Sequence, residues 1–147
     1  MSRLTIAGIG PGSAEYVMPM VIRRMKESSA VIGARRVLPM LQDLCGMEAG
    51  TDFLPMGRIA DTLKKIDEIL VSGRNVVLAV SGDPLMYSLY NTILHDEISM
   101  DWEMEVVPGI GSLQMLGAAF GETMEEAAII SVHGRMKSPG AIALAVT

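Results

Sequence analysis

One stretch constrains the fold more than any other: Gly73-Arg74-Asn75-Val76-Val77-Leu78-Ala79-Val80-Ser81-Gly82-Asp83-Pro84-Leu85-Met86-Tyr87. Val76 to Val80 are apolar without a break, and a strand has no reason to drop its polar alternation unless both of its faces are covered. The run therefore predicts a buried strand of a parallel sheet, ending near Ser81. Asp83 then stands where a helix N-cap is wanted and Pro84 where the first helical residue is wanted, so a helix is expected from Pro84 towards His95. In open α/β sheets ligands bind beyond the carboxyl ends of the strands, where backbone N–H groups at helix starts are free to meet ligand oxygens. The same four residues, Ser81 to Pro84, also read simply as a well-capped turn.

The rest of the chain alternates in the same way. Leu4 to Ile9 is a first strand, followed by Gly8-Ile9-Gly10-Pro11-Gly12-Ser13, where three glycines in five residues let the backbone bend sharply and approach a ligand. This is half of a Gly-x-Gly-x-x-Gly fingerprint, with Ser13 in place of the last glycine and Pro11 inside it. A helix from Pro19 to Glu27 follows, with Met20, Val21 and Met25 on its apolar side. Ala30 to Gly33 is a short second strand, and Ala34-Arg35-Arg36 comes after it, where a dinucleotide enzyme would offer an acid to the ribose. Val37 to Cys45 reads as a helix disturbed at Pro39, and Thr51 to Met56 as an extended segment. Arg58 to Val71 has Ile59, Leu63, Ile66 and Leu70 at helical spacing, with Gly73 closing it. Trp102 to Val107 is a further strand, and Val107-Pro108-Gly109-Ile110-Gly111-Ser112 repeats the strand, loop and helix arrangement, the helix stopping at Gly121.

Strand and helix thus alternate through residues 1–122, which predicts a doubly wound parallel α/β domain. Glu122 to Glu126 reads as a linker. Ala127 to Val132 and Ala141 to Val146 are strand-like runs joined only by a loop, so residues 123–147 are expected to begin a second α/β domain that is incomplete at its C-terminal side. The 147 residues, half of them hydrophobic and a fifth charged, suit a folded core and not a disordered chain. A formal charge of −5 argues against a nucleic-acid-coating surface. Cys45 is the only cysteine, which excludes an intramolecular disulfide and a cysteine metal cage and leaves a small buried apolar residue. The N-terminal strand is broken by glycine too early for a signal peptide, and no apolar run reaches membrane-spanning length, so a cytoplasmic location is the default expectation.

The loops Gly8-x-Gly10-Pro11-Gly12, Ser81-Gly82-Asp83-Pro84 and Val107-Pro108-Gly109-Ile110-Gly111-Ser112, in this order, resemble those of the tetrapyrrole methylases, the S-adenosylmethionine (SAM) enzymes of corrin and sirohaem synthesis. Gly33-Ala34-Arg35-Arg36, Ser112-Leu113-Gln114 and Ser131-Val132-His133-Gly134-Arg135 are most similar to the branch that methylates carbon 5 of precorrin-7 or cobalt-precorrin-7, also called the precorrin-6Y methylases. Ser13 departs from the Asp that many relatives carry there. The resemblance implies a cleft between two domains holding folded SAM, with Pro11, Ser81, Gly82, Asp83, Met86, Gly111 and Ser112 lining the cofactor. On the substrate side stand Gly10, Gly12, Arg35, Arg36 and Arg135, since a corrin precursor carries many carboxylates and Arg forks suit them. It also implies a homodimer, and a fused or partner protein for carbon-15 methylation and decarboxylation. SAM is already activated, so alignment can carry the chemistry, and neither a nucleophile nor a metal is expected.

Blander readings stand beside these. Asp83 can serve as an N-cap alone, the three arginines can be ordinary surface charges, and His133 and His95 give no ligand spacing. An NADPH-binding oxidoreductase domain would use Gly8 to Ser13 and the Arg pair but leaves the other two loops unassigned. A non-catalytic binding or assembly fragment is the third alternative.

Overall fold

A computed structural model describes residues 2–46, 50–127 and 129. The chain forms two compact units, one ending at Ser112 and the other starting at Leu113. In the first, strands β1 (Arg3–Gly8), β2 (Ala30–Gly33), β3 (Asp52–Pro55), β4 (Val76–Val80) and β5 (Glu103–Val107) alternate with helices α1 (Pro19–Lys26), α2 (Leu38–Cys45), α3 (Ile59–Val71) and α4 (Tyr90–Leu94). All pairings are parallel, in the order β3-β2-β4-β1-β5. The expected doubly wound α/β sheet is therefore present, and the unbroken apolar run is its central strand, flanked by β2 and β1 with every residue buried.

Side-chain alternation along each strand divides the core into two layers. Ala7, Ile9, Val31, Val77, Ala79 and Val107 face α1 and α2, meeting Val21, Met25, Leu41 and Cys45. Leu4, Ile6, Ile32, Val76, Leu78 and Val80 face the other way, onto Leu63, Ile66, Ile69 and Leu70 of α3 and Ile93 of α4. Burial pushes the Cys45 thiol up, as for a small apolar core residue. Among the described residues no buried side-chain polar atom lacks a hydrogen-bond partner.

Three local expectations are corrected. Residues 84–89 form turns, and the helix starts only at Tyr90, because Tyr87 has φ +50°, outside helical geometry; Asp83 Oδ1 does make the cap-like bond to the Leu85 N–H, but a turn and not a helix follows it. Pro39 does not disturb α2, since it falls in the first turn, where a missing N–H removes no helical bond. Met20 and Ile59, expected on apolar faces, are 38% and 42% exposed, and Thr62 and Ile69 complete the buried side of α3 instead.

α5 (Ser112–Phe120), which begins on the last residue of the first unit and continues in the second, ends as expected at Gly121, whose φ of +69° closes the helix while the Glu122 N–H donates to the Gly117 carbonyl at 3.0 Å. Residues 122–126 are exposed and carry no strand or helix. The two strand-like runs expected beyond them, with His133 and Arg135, fall outside the described residues except for Ala127 and Ile129. No helix among the described residues is long and apolar enough to cross a membrane.

Candidate functional site

The chain leaves β1 through α1 on one face of the sheet and leaves the adjacent β4 through α4 on the opposite face. Their carboxyl ends therefore diverge, which opens a crevice at the topological switch point of the sheet. Both loops there are glycine-rich, and they are joined by backbone. The Gly82 N–H donates to the Gly10 carbonyl at 2.8 Å, and the Gly10 N–H donates back at 3.4 Å, an antiparallel bridge beyond the parallel ladder. Gly10 and Gly82 have φ of +72° and +70°, a region that L side chains disfavour, so the bridge depends on glycine at both positions.

The loop after β5 closes onto the same point. A Cβ placed on Gly8 would lie 2.6 Å from both the Gly109 nitrogen and the Gly82 carbonyl oxygen, and one placed on Gly109 would overlap the Gly82 carbonyl and lie 2.8 Å from the Gly8 Cα. Three main chains thus meet where no side chain fits. The Asp83 carboxylate fastens the β4 loop to the β5 loop: Oδ1 accepts from the Leu85 N–H at 2.7 Å, and Oδ2 accepts from the Gly109 N–H at 3.0 Å.

The residues singled out from the sequence distribute around this junction. Gly82 is half-buried, with the Gly111 Cα 3.7 Å from where its Cβ would be, and Gly111 is buried. Ser81 is exposed at the mouth of the β4 loop, and its Oγ accepts from Arg36 Nη2 at 3.1 Å, so an expected substrate residue and an expected cofactor residue are neighbours. Arg35 is exposed beside Arg36, while Met86, 41% exposed, stands on the turn after Asp83 with Leu85 and Tyr87. Pro11 and Gly12 occupy the exposed outer part of the β1 loop, Gly10 is buried against Tyr16, and Ser112 opens α5. Arg135 lies outside the described residues, and His95 sits at the exposed end of α4 with Nδ1 2.8 Å from the Asn91 carbonyl oxygen.

Two features escaped sequence reasoning. Gly8 was legible only as part of a glycine pattern, whereas its contact with Gly109 links residues a hundred apart. Glu105 forms a second missed cluster: it accepts from Arg24 Nε at 2.8 Å and Nη2 at 2.7 Å and from Thr5 Oγ1 at 3.1 Å, with Arg3 Nε at 3.6 Å. The Arg24 fork, with help from Thr5 and Arg3, holds the Glu105 carboxyl below its ordinary value, and Arg24 is pushed up in return.

The sheet is that of known methylases. A structure described as the methyltransferase CobJ superposes with a TM-score of 0.78 at 22% identity, over 97% of this chain and 61% of that one. A sequence model of the tetrapyrrole (corrin/porphyrin) methylases matches residues 3–146. The chain belongs to the tetrapyrrole methylase family. Among curated tetrapyrrole methylases, a probable cobalt-precorrin-7 C(5)-methyltransferase of Methanocaldococcus jannaschii is 25% identical over 130 residues, covering 88% of this chain and 60% of the relative. A probable cobalt-factor III C(17)-methyltransferase of Methanothermobacter thermautotrophicus is 27% identical over 134 residues, 88% of this chain and 36% of that protein. A uroporphyrin-III C-methyl transferase of Thermus thermophilus, solved with S-adenyl homocysteine, is 25% identical with a TM-score of 0.59, over 79% of this chain and 48% of that one. The chain thus spans less than two thirds of the length of each of these methylases.

The family fits the geometry better than a dinucleotide enzyme does. A dinucleotide fingerprint runs from its glycines straight into a helix whose N-terminus meets the pyrophosphate. Here the glycine loop passes through a 3₁₀ turn at Ala14–Tyr16, and α1 starts only at Pro19.

Proposed function

We propose that this chain carries the cofactor-binding half of a SAM-dependent C-methyltransferase acting on a corrin precursor of cobalamin synthesis, with carbon 5 of precorrin-7 (from precorrin-6Y) or of cobalt-precorrin-7 as the acceptor. The observation that carries this reading is the junction of three glycine loops at the switch point, held by backbone bonds and by Asp83. SAM has a sulfonium, an adenine and an amino-acid end, all of which main-chain N–H and C=O groups can address without a dedicated charged pocket. Pro11, Ser81, Gly82, Met86, Gly111, Ser112 and the main chain of Asp83 are the residues we assign to it. Methyl transfer needs the acceptor carbon, methyl group and sulfur in line, and a rigid loop junction supplies that alignment by positioning.

Arg35 and Arg36, at the end of β2 beside Ser81, are the charges available for substrate carboxylates, with Gly10 and Gly12 giving close main-chain approach. Arg135 is assigned to the same task, and residues 123–147 to the start of the second α/β domain. The carbon-5 assignment is favoured by the named relative from M. jannaschii together with the Gly33-Ala34-Arg35-Arg36 loop, while a carbon-17 relative of similar identity marks the competing outcome. Isothermal calorimetry with S-adenosylhomocysteine and with NADPH tests the cofactor. Binding of the first and no heat from the second is expected, and the reverse pattern would return the chain to the oxidoreductase reading. Product analysis of the methylated corrinoid by carbon-13 labelling then distinguishes carbon 5 from carbon 17.

A further inference from the structure

The carboxylate of Asp83 stands at the loop junction, and both of its oxygens are engaged by the protein. Oδ1 accepts from Leu85 two residues on, which makes the local turn, and Oδ2 reaches across to Gly109 of the next loop. The second bond is the unusual one. β4 and β5 are not neighbours in the sheet, since β1 lies between them, so no ladder sets the distance between their loops. Glycine at 8, 82 and 109 lets the three main chains come into contact but does not hold them there. A short forked group whose two oxygens accept from the two loops is what fixes their spacing, and Asp is the shortest side chain that supplies two acceptor oxygens.

We infer that the Asp83 carboxylate is a positioning group: by bridging the Leu85 and Gly109 amides it sets the gap between the β4 and β5 loops, and it acts on the methyl donor through those loops without touching it. This rests on the cofactor reading above. Its chemical consequence is that a side chain can keep the local turn and still lose the site. Ser at this position can accept from the Leu85 N–H as a serine turn but is too short to reach Gly109. Asn can satisfy one amide, yet it then presents its own NH₂ donors to the other.

The experiment uses nitrogen-15 labelled chain, whose 15.8 kDa suits amide spectroscopy, together with calorimetry against S-adenosylhomocysteine. In wild type the Gly109 amide is expected to be protected from hydrogen exchange, and to stay protected at saturating S-adenosylhomocysteine. Asp83→Ser should leave the Leu85 amide in place, release the Gly109 amide in the ligand-free protein, and weaken S-adenosylhomocysteine about 10-fold or more, because loop spacing must then be organised on binding. Asp83→Asn should release one of the two amides and weaken binding at least as much. A Gly109 amide that is freed when wild type binds S-adenosylhomocysteine would mean the carboxylate turns to the ligand, and would overturn the inference even if both variants failed to fold. Affinity lost in Asp83→Ser with Gly109 still protected, or Gly109 released with affinity unchanged, would overturn it equally. A wild type that binds no S-adenosylhomocysteine while its Gly109 amide is protected would instead defeat the cofactor reading, and the positioning role with it.

Discussion

A methyl group at Gly109 has nowhere to go. The atoms it would meet belong to the backbone of Gly8 and Gly82, which cannot swing aside as the end of a long side chain can. Gly109→Ala is therefore expected to destabilise the first unit by about 2 kcal/mol or more through forced separation of the loops. Gly57 is the control, since a Cβ there meets nothing within 4 Å and its φ is not in the left-handed region. Gly57→Ala should change stability by less than about 0.5 kcal/mol. Gly82→Ala falls between them: the nearest foreign atom is 3.7 Å away, so space is adequate, but a φ of +70° costs an L residue about 1–2 kcal/mol. Urea unfolding of the three variants checks the order. Gly8→Ala combined with Gly109→Ala should cost less than the two singly added, because the first substitution has already opened the contact that the second would clash with.

At the scale of elements, the weakest part of the sheet by sequence is β5, an edge strand of the first unit with glutamates at 103 and 105. Beside the packing of Val107, the Arg24–Glu105 fork attaches it to the helical layer, joining α1 to β5 across Thr5 of β1. Because the folded Glu105 value lies below the ordinary 4.5, its stabilisation is complete above that value and is lost as pH falls through the lowered folded one. Glu105→Gln should thus cost about 1–2 kcal/mol near pH 7, and the gap between wild type and variant should close at an acid pH below that lowered folded value. Urea unfolding at the two pH values measures it, and a gap that persisted in acid would assign the effect to packing. Neither this fork nor the Asp83 bridge was legible in the sequence, because each joins residues whose separation along the chain is bridged only by the sheet order. The strands and most helices were legible, since Val76 to Val80 or Leu63, Ile66 and Leu70 carry their burial in their own spacing. The short α4 differs from the expected helix for a different, local reason: Asp83 does make the cap-like bond to the Leu85 N–H, but the left-handed φ of Tyr87, which no spacing announces, delays the helix to Tyr90. At the candidate site, the glycines were legible as loop-formers, but which of them touch one another was not.

For the whole molecule, the acidic balance and the proposed polycarboxylate substrate pull in opposite directions, and the distances decide between them. A formal charge of −5 spread over the chain acts on a ligand mostly from beyond a Debye length of about 8 Å at physiological salt, where it is largely screened. Arg35 and Arg36 stand at the end of β2, with Arg36 held against Ser81 at the mouth of the central loop, so a carboxylate docked there meets them at contact range. Local charge should therefore win, and the test is a difference that cancels the background. Replacing both by Gln should weaken an anionic tetrapyrrole about 10-fold at low ionic strength, and the ratio of wild-type to variant affinity should shrink as salt rises, since exposed pairs are the ones salt weakens. S-adenosylhomocysteine, whose proposed contacts are main-chain groups, should bind the double variant within about 2-fold of wild type. Fluorescence titration of the tetrapyrrole at several salt concentrations, alongside calorimetry of the cofactor product, measures both. An affinity ratio near one at all salt concentrations would move the carboxylate-binding role away from the β2 loop, while a parallel loss of S-adenosylhomocysteine would mean that Arg36 acts by holding Ser81 in the cofactor loop.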